Sequence, residues 1–464
     1  MILPPKPSDP PDEQFVVAKA LLEDLLRVPE VEQVFDLDDR PTTKMVYSQA
    51  VTMWLLITQR LLGGASLSKV VSEAVNHQAE LFPDNKRVRE GTLAENTAAF
   101  SKARKRLALE AIERFSRLVC DYLGRTAECV FEGRRVFILD GTTITFAPTP
   151  ELKKAFPPAT NQHGESVWPV AMLMVAAELE TGCILVPKVD PMYGPNNSSE
   201  AAQAHEIVKE LPAGSIVMGD VAFGIFSVAY YTRAAGKDFL FRLSSTRFKS
   251  FLKKAELVDE GEGYKSYRYE WRPTSKDRLT NPELPKDACI IVFLHEVLLD
   301  NGTKLRLVSN MEFDAHCMAE LYRRRYDVEF DIRDVKVTMD TENIRAKSVD
   351  MVMKELLGSV IAYNLVMQFR RGAAKLANVP PRRLSFSGVW LSFQTRLLGK
   401  SCENFEQWQA AFTAALISAS KRKHPNRKAP REYPRIAHYR RPKTTKFQKS
   451  LRKKKQPPDP PPPG

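Results

Sequence analysis

The stretch Leu321–Lys336 reads LYRRRYDVEFDIRDVK, and the rest of the chain is arranged around it. On an α-helix at 100° per residue, Tyr322, Arg325, Glu329 and Lys336 fall within one arc of about 60°. Leu321, Val328, Ile332 and Val335 fill an adjoining arc of similar width, and an apolar stripe of that kind is buried against a core. A phenol, a guanidinium, a carboxylate and an amine therefore line the rim of a buried face. Arg325 and Glu329 also stand four residues apart, the spacing of an ordinary ion pair on a solvated helix. Only partner residues elsewhere in the chain can separate that reading from a functional one.

Such partners lie upstream. The apolar run Val136-Phe137-Ile138-Leu139 is expected as a strand ending at Asp140-Gly141-Thr142-Thr143, and Ser215–Met218 as a second strand ending at Gly219-Asp220. Between them, Pro169–Ala177 and Cys183–Pro187 read as a hairpin across Glu178–Gly182, and Ser198 and Ser199 can cap a helix from Glu200 to about Leu211. A short helix near Ile225–Ala235 and a strand at Phe239–Leu243 follow. The order β-β-β-α-β-α-β is that of an α/β, ribonuclease-H-like mixed sheet with helices packed on it. In that topology Asp140 and Asp220 lie on neighbouring strands and the Glu329 helix packs against the sheet, so three carboxylates can converge. Acids so placed raise one another's pKa unless a cation lies between them. Oxygen-only ligands suit Mg2+, with Mn2+ as a substitute. Two such ions about 3.5–4 Å apart serve phosphodiester displacement. Taken singly, an Asp before Gly is a turn former and Asp220 a helix cap. Neither role accounts for a carboxylate helix with basic companions downstream.

The remaining chain is expected to divide as follows. Residues 1–40 are Pro- and acid-rich and poorly ordered, and residues 41–130 form a helical DNA-binding domain. Within it, helices break at Gly63-Gly64, Ser66 caps the second, and the basic run Ser101–Arg106 places Lys102, Arg104 and Arg106 on a face suited to a DNA backbone. The catalytic domain occupies 131–250 and 319–375, interrupted by a β-rich insertion at 251–318 with a turn at Asn301-Gly302. Val349–Phe369 reads as an amphipathic helix backing the sheet, 376–420 as a helical segment, and 421–464 as a disordered, basic, Pro-rich tail. That tail holds 16 Lys and Arg against 2 acidic residues, a net of +14 in a chain of net +13, so residues 1–420 are close to neutral. A polyanion is the natural partner of such a segment, nucleic acid ahead of anionic lipid.

At 464 residues the chain is long enough for two to four domains. Its six cysteines form no CxxC pair or Cys/His cluster, which argues against structural zinc or a disulfide framework and fits a reducing compartment. The start of the chain lacks a signal pattern, and no apolar run approaches a membrane span. A soluble, cytoplasmic protein without membrane attachment is expected.

The pattern Tyr322-x2-Arg325-x3-Glu329-x6-Lys336 resembles the YREK signature of DDE transposases from bacterial insertion sequences, in the family with a β insertion before the catalytic Glu. Asp140-Gly141-Thr142-Thr143 and Gly219-Asp220-Val221-Ala222-Phe223 resemble that family's first and second Asp motifs, and Lys354-Glu355-Leu356 and Ala362-Tyr363-Asn364-Leu365 its following helix. Tyr326 stands where many relatives carry Trp and would keep an aromatic anchor. The resemblance covers roughly residues 90–370. It implies cut-and-paste transposition by a bacterial, nucleoid-associated protein, with Asp140, Asp220 and Glu329 holding two Mg2+ ions. One strand is nicked, the freed 3′-hydroxyl attacks the other strand to give a hairpin, and a second hydrolysis precedes transfer into target DNA. Tyr322, Arg325 and Lys336 would contact phosphates, and Trp271 would stack on a flipped base. The implied partner is double-stranded DNA, terminal inverted repeats and target alike, bound by a homodimer. Two other readings of the same residues are a transposase-derived DNA-binding protein that no longer cuts, and a nuclease of this fold that never joins strands. Truncation after Ser420 should flatten the salt dependence of DNA binding by about 0.9 in log–log slope for each phosphate the tail neutralises; an unchanged slope would remove the tail from DNA binding.

Overall fold

The computed structural model describes residues 46–77, 82, 86–125, 131–162, 164–339, 341, 344–398 and 405–425. The expected N-terminal segment 1–40 and nearly all of the basic tail lie outside these residues. The short apolar runs between 136 and 242 become β1 (Val136–Thr145), β4 (Val170–Glu178), β5 (Lys188–Pro191), β6 (Ile216–Gly219) and β7 (Asp238–Arg242). Four more strands follow: β8 (Glu256–Gly261), β9 (Tyr264–Trp271), β10 (Ile290–Leu298) and β11 (Lys304–Ser309). All nine join one sheet in the order β5-β4-β1-β6-β7-β11-β10-β9-β8, and β2 (Thr160–Asn161) and β3 (Gly164–Glu165) form a separate small ladder. β1 runs antiparallel to β4 and parallel to β6, and β6 runs parallel to β7. The sheet is therefore mixed, as the run of strands and helices predicts.

Segment 251–318 is β-rich as expected, carrying β8–β11 ahead of the Glu329 helix, and β11 pairs antiparallel with β7, so these strands extend the same sheet. The turn at Asn301-Gly302 does form, with Gly302 at φ +77°. Cys183–Pro187 does return along β4, through the Ala177–Ile184 bridge and bonds from the Glu178 amide to the Cys183 carbonyl and from the Leu185 amide to the Ala176 carbonyl, but the continuous ladder resumes only at β5. Pro187 has no amide hydrogen to donate to a ladder.

Side chains alternate along β1 and feed two cores. Phe137 and Leu139, with Val217, Phe239 and Phe241, pack on α7 (Glu200–Glu210) and α8 (Phe226–Ala234), through Ala204, Ile207, Val208, Phe226 and Ala229. Ser199 caps α7 by accepting from the Ala202 amide at 3.2 Å. Val136 and Ile138, with Ile216, Met218 and Leu240, face the opposite core.

That second core surrounds α13 (Val349–Leu376), which is buried on every side rather than amphipathic. The N-terminal helices are α1 (Gln49–Leu61), α2 (Leu67–His77), α3 (Lys86–Arg89), α4 (Ala98–Arg106) and α5 (Leu109–Arg125); α1 and α5 cover the far side of α13, while α2 and α4 pack on α1 in a small core of their own. Met53, Trp54 and Ile57 of α1 and Ile112, Phe115 and Val119 of α5 share one core with Ile138 and Tyr363, so the helical part is not the independent domain expected at 41–130. Between α1 and α2, Gly63 and Gly64 take φ +73° and +69°, and Ser66 accepts from the Lys69 amide at 3.2 Å.

Burying α13 forces its polar groups to find partners inside. Glu355 takes Arg60 and Arg104, the latter at 2.6 Å. The Lys354 amine donates to the Arg104 and Lys105 carbonyls, at 3.3 and 3.4 Å. Asn364 donates to the Ile184 carbonyl and accepts from its amide, both at 2.9 Å. The motif residues Lys354, Glu355 and Asn364 thus hold α13 to its neighbours.

The C-terminal helices α14 (Phe386–Phe393) and α15 (Phe405–Ser420) close the bundle on α13. Arg422, Lys423 and His424 pair with 383–385, so the folded part runs past the expected tail boundary at 421. Among the described residues no helix is long and apolar enough to cross a membrane. Replacing Glu355 by Ala strands two buried guanidiniums and should lower unfolding stability by about 3–5 kcal/mol, measured by denaturant titration. A loss under about 1 kcal/mol would mean that Arg60 and Arg104 are satisfied without it.

Candidate active site

Asp140 lies inside β1, opposite Val175 of β4, and not at the strand's end as expected. What ends there is its other neighbour. β6 pairs with β1 as Val136–Ile216, Phe137–Val217 and Ile138–Met218, then stops at Gly219. This register offset equals the separation of Asp140 and Asp220, so the two acids lie in one row where the sheet opens. Asp140 shares its strand face with Ile138, which belongs to the core around α13. Beyond Gly219 the chain turns sharply: the Asp220 carboxylate accepts from the Ala222 amide at 2.8 Å, and the Asp220 carbonyl from the Phe223 amide at 3.2 Å. Asp220 does not cap the next helix, whose N-cap is Ile225. A Cβ on Gly219 would fall 2.7 Å from the buried Phe223 ring, which explains the glycine before this acid.

The helix carrying Glu329 is helical throughout but not uniform. It runs as α11 (Ala315–Arg323), a 3-10 turn (Arg324–Tyr326), α12 (Asp327–Arg333) and a π turn (Asp334–Thr338). Leu321, Val328, Ile332 and Val335 are all buried, as their stripe predicts. Tyr322 and Arg325 are buried too, whereas the Glu329 side chain is 52% exposed. The Arg325 guanidinium donates to Glu329 Oε1 at 2.8 Å. At the far end of the stripe, Lys336 Nζ reaches across to β1 and donates to Thr142 Oγ1 at 3.0 Å and the Thr143 carbonyl at 2.8 Å. Tyr326 is no core anchor; it is half exposed, with the Arg325 guanidinium over its ring at 4.6 Å.

Electrostatics tie the three acids together. Burial pushes the Asp140 carboxyl up to about 6; Arg325 opposes this, and the charges of Asp220 and Glu329 add to it. Burial likewise holds the Tyr322 phenol above its usual range, in the combined field of Arg325, Arg242 and Asp220. Asp140 and Asp220 thus lie in one row of the sheet, Arg325 bonds Glu329 on the packed helix, and Lys336 is bound to the strand that carries Asp140. The three acids do not form a tight ligand cluster: among the described residues, no group of three or more His, Cys, Asp and Glu side chains is close enough to hold a metal ion.

Other expected residues lie elsewhere. Trp271 is 2% exposed and packs edge-on to Phe226 and against Phe251, so it has no free face for a base. Arg104 is consumed by its ion pair with Glu355, whereas Lys102 and Arg106 are exposed on α4. Two residues escape a reading of the sequence. The Glu200 carboxylate stands against Gly141, where a Cβ would collide with it, and burial and the Asp220 charge raise its pKa. Its only signal in the sequence is a place one residue after a helix cap. Arg242, at the end of β7, acts on the Tyr322 phenol.

The family model described as the transposase DDE domain matches residues 131–365, about half of the chain, and spans β1, β6 and the Glu329 helix. The chain belongs to the DDE transposase family. It is similar to the transposase InsG for insertion sequence element IS4 of Escherichia coli (strain K12), at 23% identity over 298 residues. The match covers 62% of this chain and 65% of that relative, just under two thirds of the relative's length. A solved structure of a piggyBac transposase synaptic complex with hairpin DNA aligns at 9% identity, with a TM-score of 0.36, over 91% of this chain and 86% of that one.

The Asp140 shift has a stability consequence with a definite sign. A carboxyl raised from 3.8 to about 6 binds its proton more tightly when folded, so the metal-free protein loses stability as pH rises from about 4 to 6. Asp140→Asn should match wild type near pH 4 and unfold at a higher temperature at pH 7 in chelator. Equal melting temperatures at pH 7 would show that the acid is not destabilised.

Proposed function

We propose that this DDE-family chain is an active transposase of an insertion sequence. It would hydrolyse a DNA strand at the element's ends and then transfer the freed 3′-hydroxyl into target DNA, on a ribonuclease-H-like core. The observation that carries the reading is geometric: Asp140 and Asp220 share one row where the sheet opens, and Glu329 stands on the packed helix bonded to Arg325; burial first, then the Asp220 and Glu329 charges, raises the Asp140 carboxyl. Three acids drawn from two strands and a helix into one field, with one buried guanidinium among them, make poor structural sense unless positive charge joins them.

The donor set fits a hard divalent ion, since the three acids offer only oxygen. Asp140, Asp220 and Glu329 would hold Mg2+ or Mn2+. Bound ions of this kind activate an attacking water or 3′-hydroxyl and stabilise the leaving oxygen. The chain's own groups supply the grip on the strand. Arg325 offers a fork matched to a phosphate, and Lys336 a point charge beside Thr142 and Thr143. Tyr322 keeps its proton, because burial raises its phenol, and so acts as a hydrogen-bond donor. Lys102 and Arg106 add exposed cations for the DNA backbone on α4. The partners are terminal inverted repeats and target DNA, engaged by a homodimer in the synaptic state.

Glu329→Gln should reduce Mg2+- or Mn2+-dependent nicking of the cognate terminal repeats by at least about 100-fold while leaving DNA binding intact; a loss of about 1.36 kcal/mol in barrier stabilisation is tenfold. Retained nicking by the variant would refute the assignment. Joining of pre-cut ends to a plasmid separates a transposase from a nuclease of this fold.

A further inference from the structure

We infer that a basic cavity between the N-terminal helices and the start of α13 seats backbone phosphates of the bound DNA; this rests on the reading that the chain acts on DNA. The cavity has a volume of about 530 Å³ and is lined by Arg104 and Lys105 from α4, Arg345 and Lys347 from the segment before α13, and Glu355 from α13 itself. Its one carboxylate is spent. Glu355 already bonds both Arg60 and Arg104. Lys105, Arg345 and Lys347 are exposed, and no described carboxylate pairs with their side chains. Nine-tenths buried at the wall, Arg104 keeps an Nε–H without an acceptor among the described residues.

Two helix starts add to this field. Ser66, the first residue before α2, and Ser348, the N-cap of α13, both line the cavity. Helix N-termini carry partial positive charge and bind anions through their free amides. Among the described residues these three cations meet no carboxylate, and together with the two helix termini they make a field that favours an anion in the cavity. Nothing in the fold requires the charges: Lys354 and Glu355 already tie α13 to α4.

A DNA strand suits the cavity better than a lone small anion. The cations come from two chain segments and can meet successive phosphates. The segment 344–348 also leads back to the candidate active site. Ile344 and Ala346 pack with Ile144 and Phe146, which continue the line of β1 beyond Asp140. The Lys347 carbonyl accepts from Thr149 Oγ1 at 3.0 Å, just past the same strand. A strand gripped at Lys336 therefore has a charged path along the end of β1 to this cavity.

The test is the full-length triple variant Lys105→Gln/Arg345→Gln/Lys347→Gln, with Lys253→Gln/Lys254→Gln as a charge control away from the cavity lining. Binding to a duplex carrying the element's ends is measured across a salt series, and circular dichroism checks folding. The log–log salt slope of the triple variant should fall by about 0.9 for each phosphate it no longer neutralises, so by up to about 2.7, and that of the control should fall by less. An unchanged slope overturns the inference, as does an equal fall in variant and control, which would reflect net charge alone. Thermal stabilisation by inorganic phosphate that disappears in the triple variant while its DNA slope stays put assigns the cavity to a free anion and also overturns it. The proposed function fails separately, if wild-type protein does not nick the ends, and that outcome leaves the slope comparison standing.

Discussion

The parallel register between β1 and β6 is the constraint from which the candidate site follows. The pairing Ile138–Met218 fixes the row that Asp140 and Asp220 occupy, and β6 then ends while β1 continues on β4 alone. A central strand that loses one neighbour leaves an opening beyond its partner's carboxyl end, and ligands in open α/β sheets bind in such crevices. A one-residue slip of β1 against β6 would turn Asp140 toward Phe137's core and bury it there. The alternation of Phe137 and Leu139 with Val136 and Ile138 forbids that slip, because both faces of the strand are packed. Hydrophobic patterning thus holds the two acids in place without touching either.

The third acid is positioned by a different device. Behind α12, Arg382 bonds Asp331 at 2.7 Å, Asp327 at 3.2 Å and the Leu179 carbonyl at 2.8 Å. Asp331 is fully buried, and Arg370 nearby donates to the Leu384 carbonyl at 3.0 Å. Such charges inside a protein hold one geometry because every other arrangement strands a partner. They clamp the inner face of α12 to the segment after α13, which leaves Glu329 on the outer face able to project. Hydrogen-bond register changes on both sides of α12, through a 3-10 turn and a π turn, and such irregularities occur often at functional sites.

Much of this is legible in the letters. Strands β1, β4, β6 and β7 follow from their apolar runs, and the stripe on the Glu329 helix is buried as its spacing predicts. The failures share a cause, which is that linear patterns carry no information about what covers a residue. Trp271 looks available because its strand alternates, yet Phe226 and Phe251 close over it. Arg104 looks like one more cation on a basic helix; its partner Glu355 lies 251 residues away. The β-rich character of 251–318 is legible, but its attachment to the sheet through β7 and β11 is not. Glu200 shows in the sequence only as the first residue after a helix cap, since its closeness to Gly141 is set by the packing of α7 on the sheet.

The charge balance at the site gives the arrangement its direction. Arg325 is buried, bonds Glu329, and is the cation that most opposes the rise of the Asp140 carboxyl. Burial is the larger cause of the rise, the Asp220 and Glu329 charges add to it, and the Asp140 carboxyl settles near 6. A folded protein that keeps an acid so perturbed gives up stability at neutral pH that an Asn or a Leu there would not cost. Such deficits concentrate where function demands them. Arg325, buried beside these acids and bonded to Glu329, is the group of the chain itself that offsets part of this cost, so the burial that positions the guanidinium also perturbs the acid.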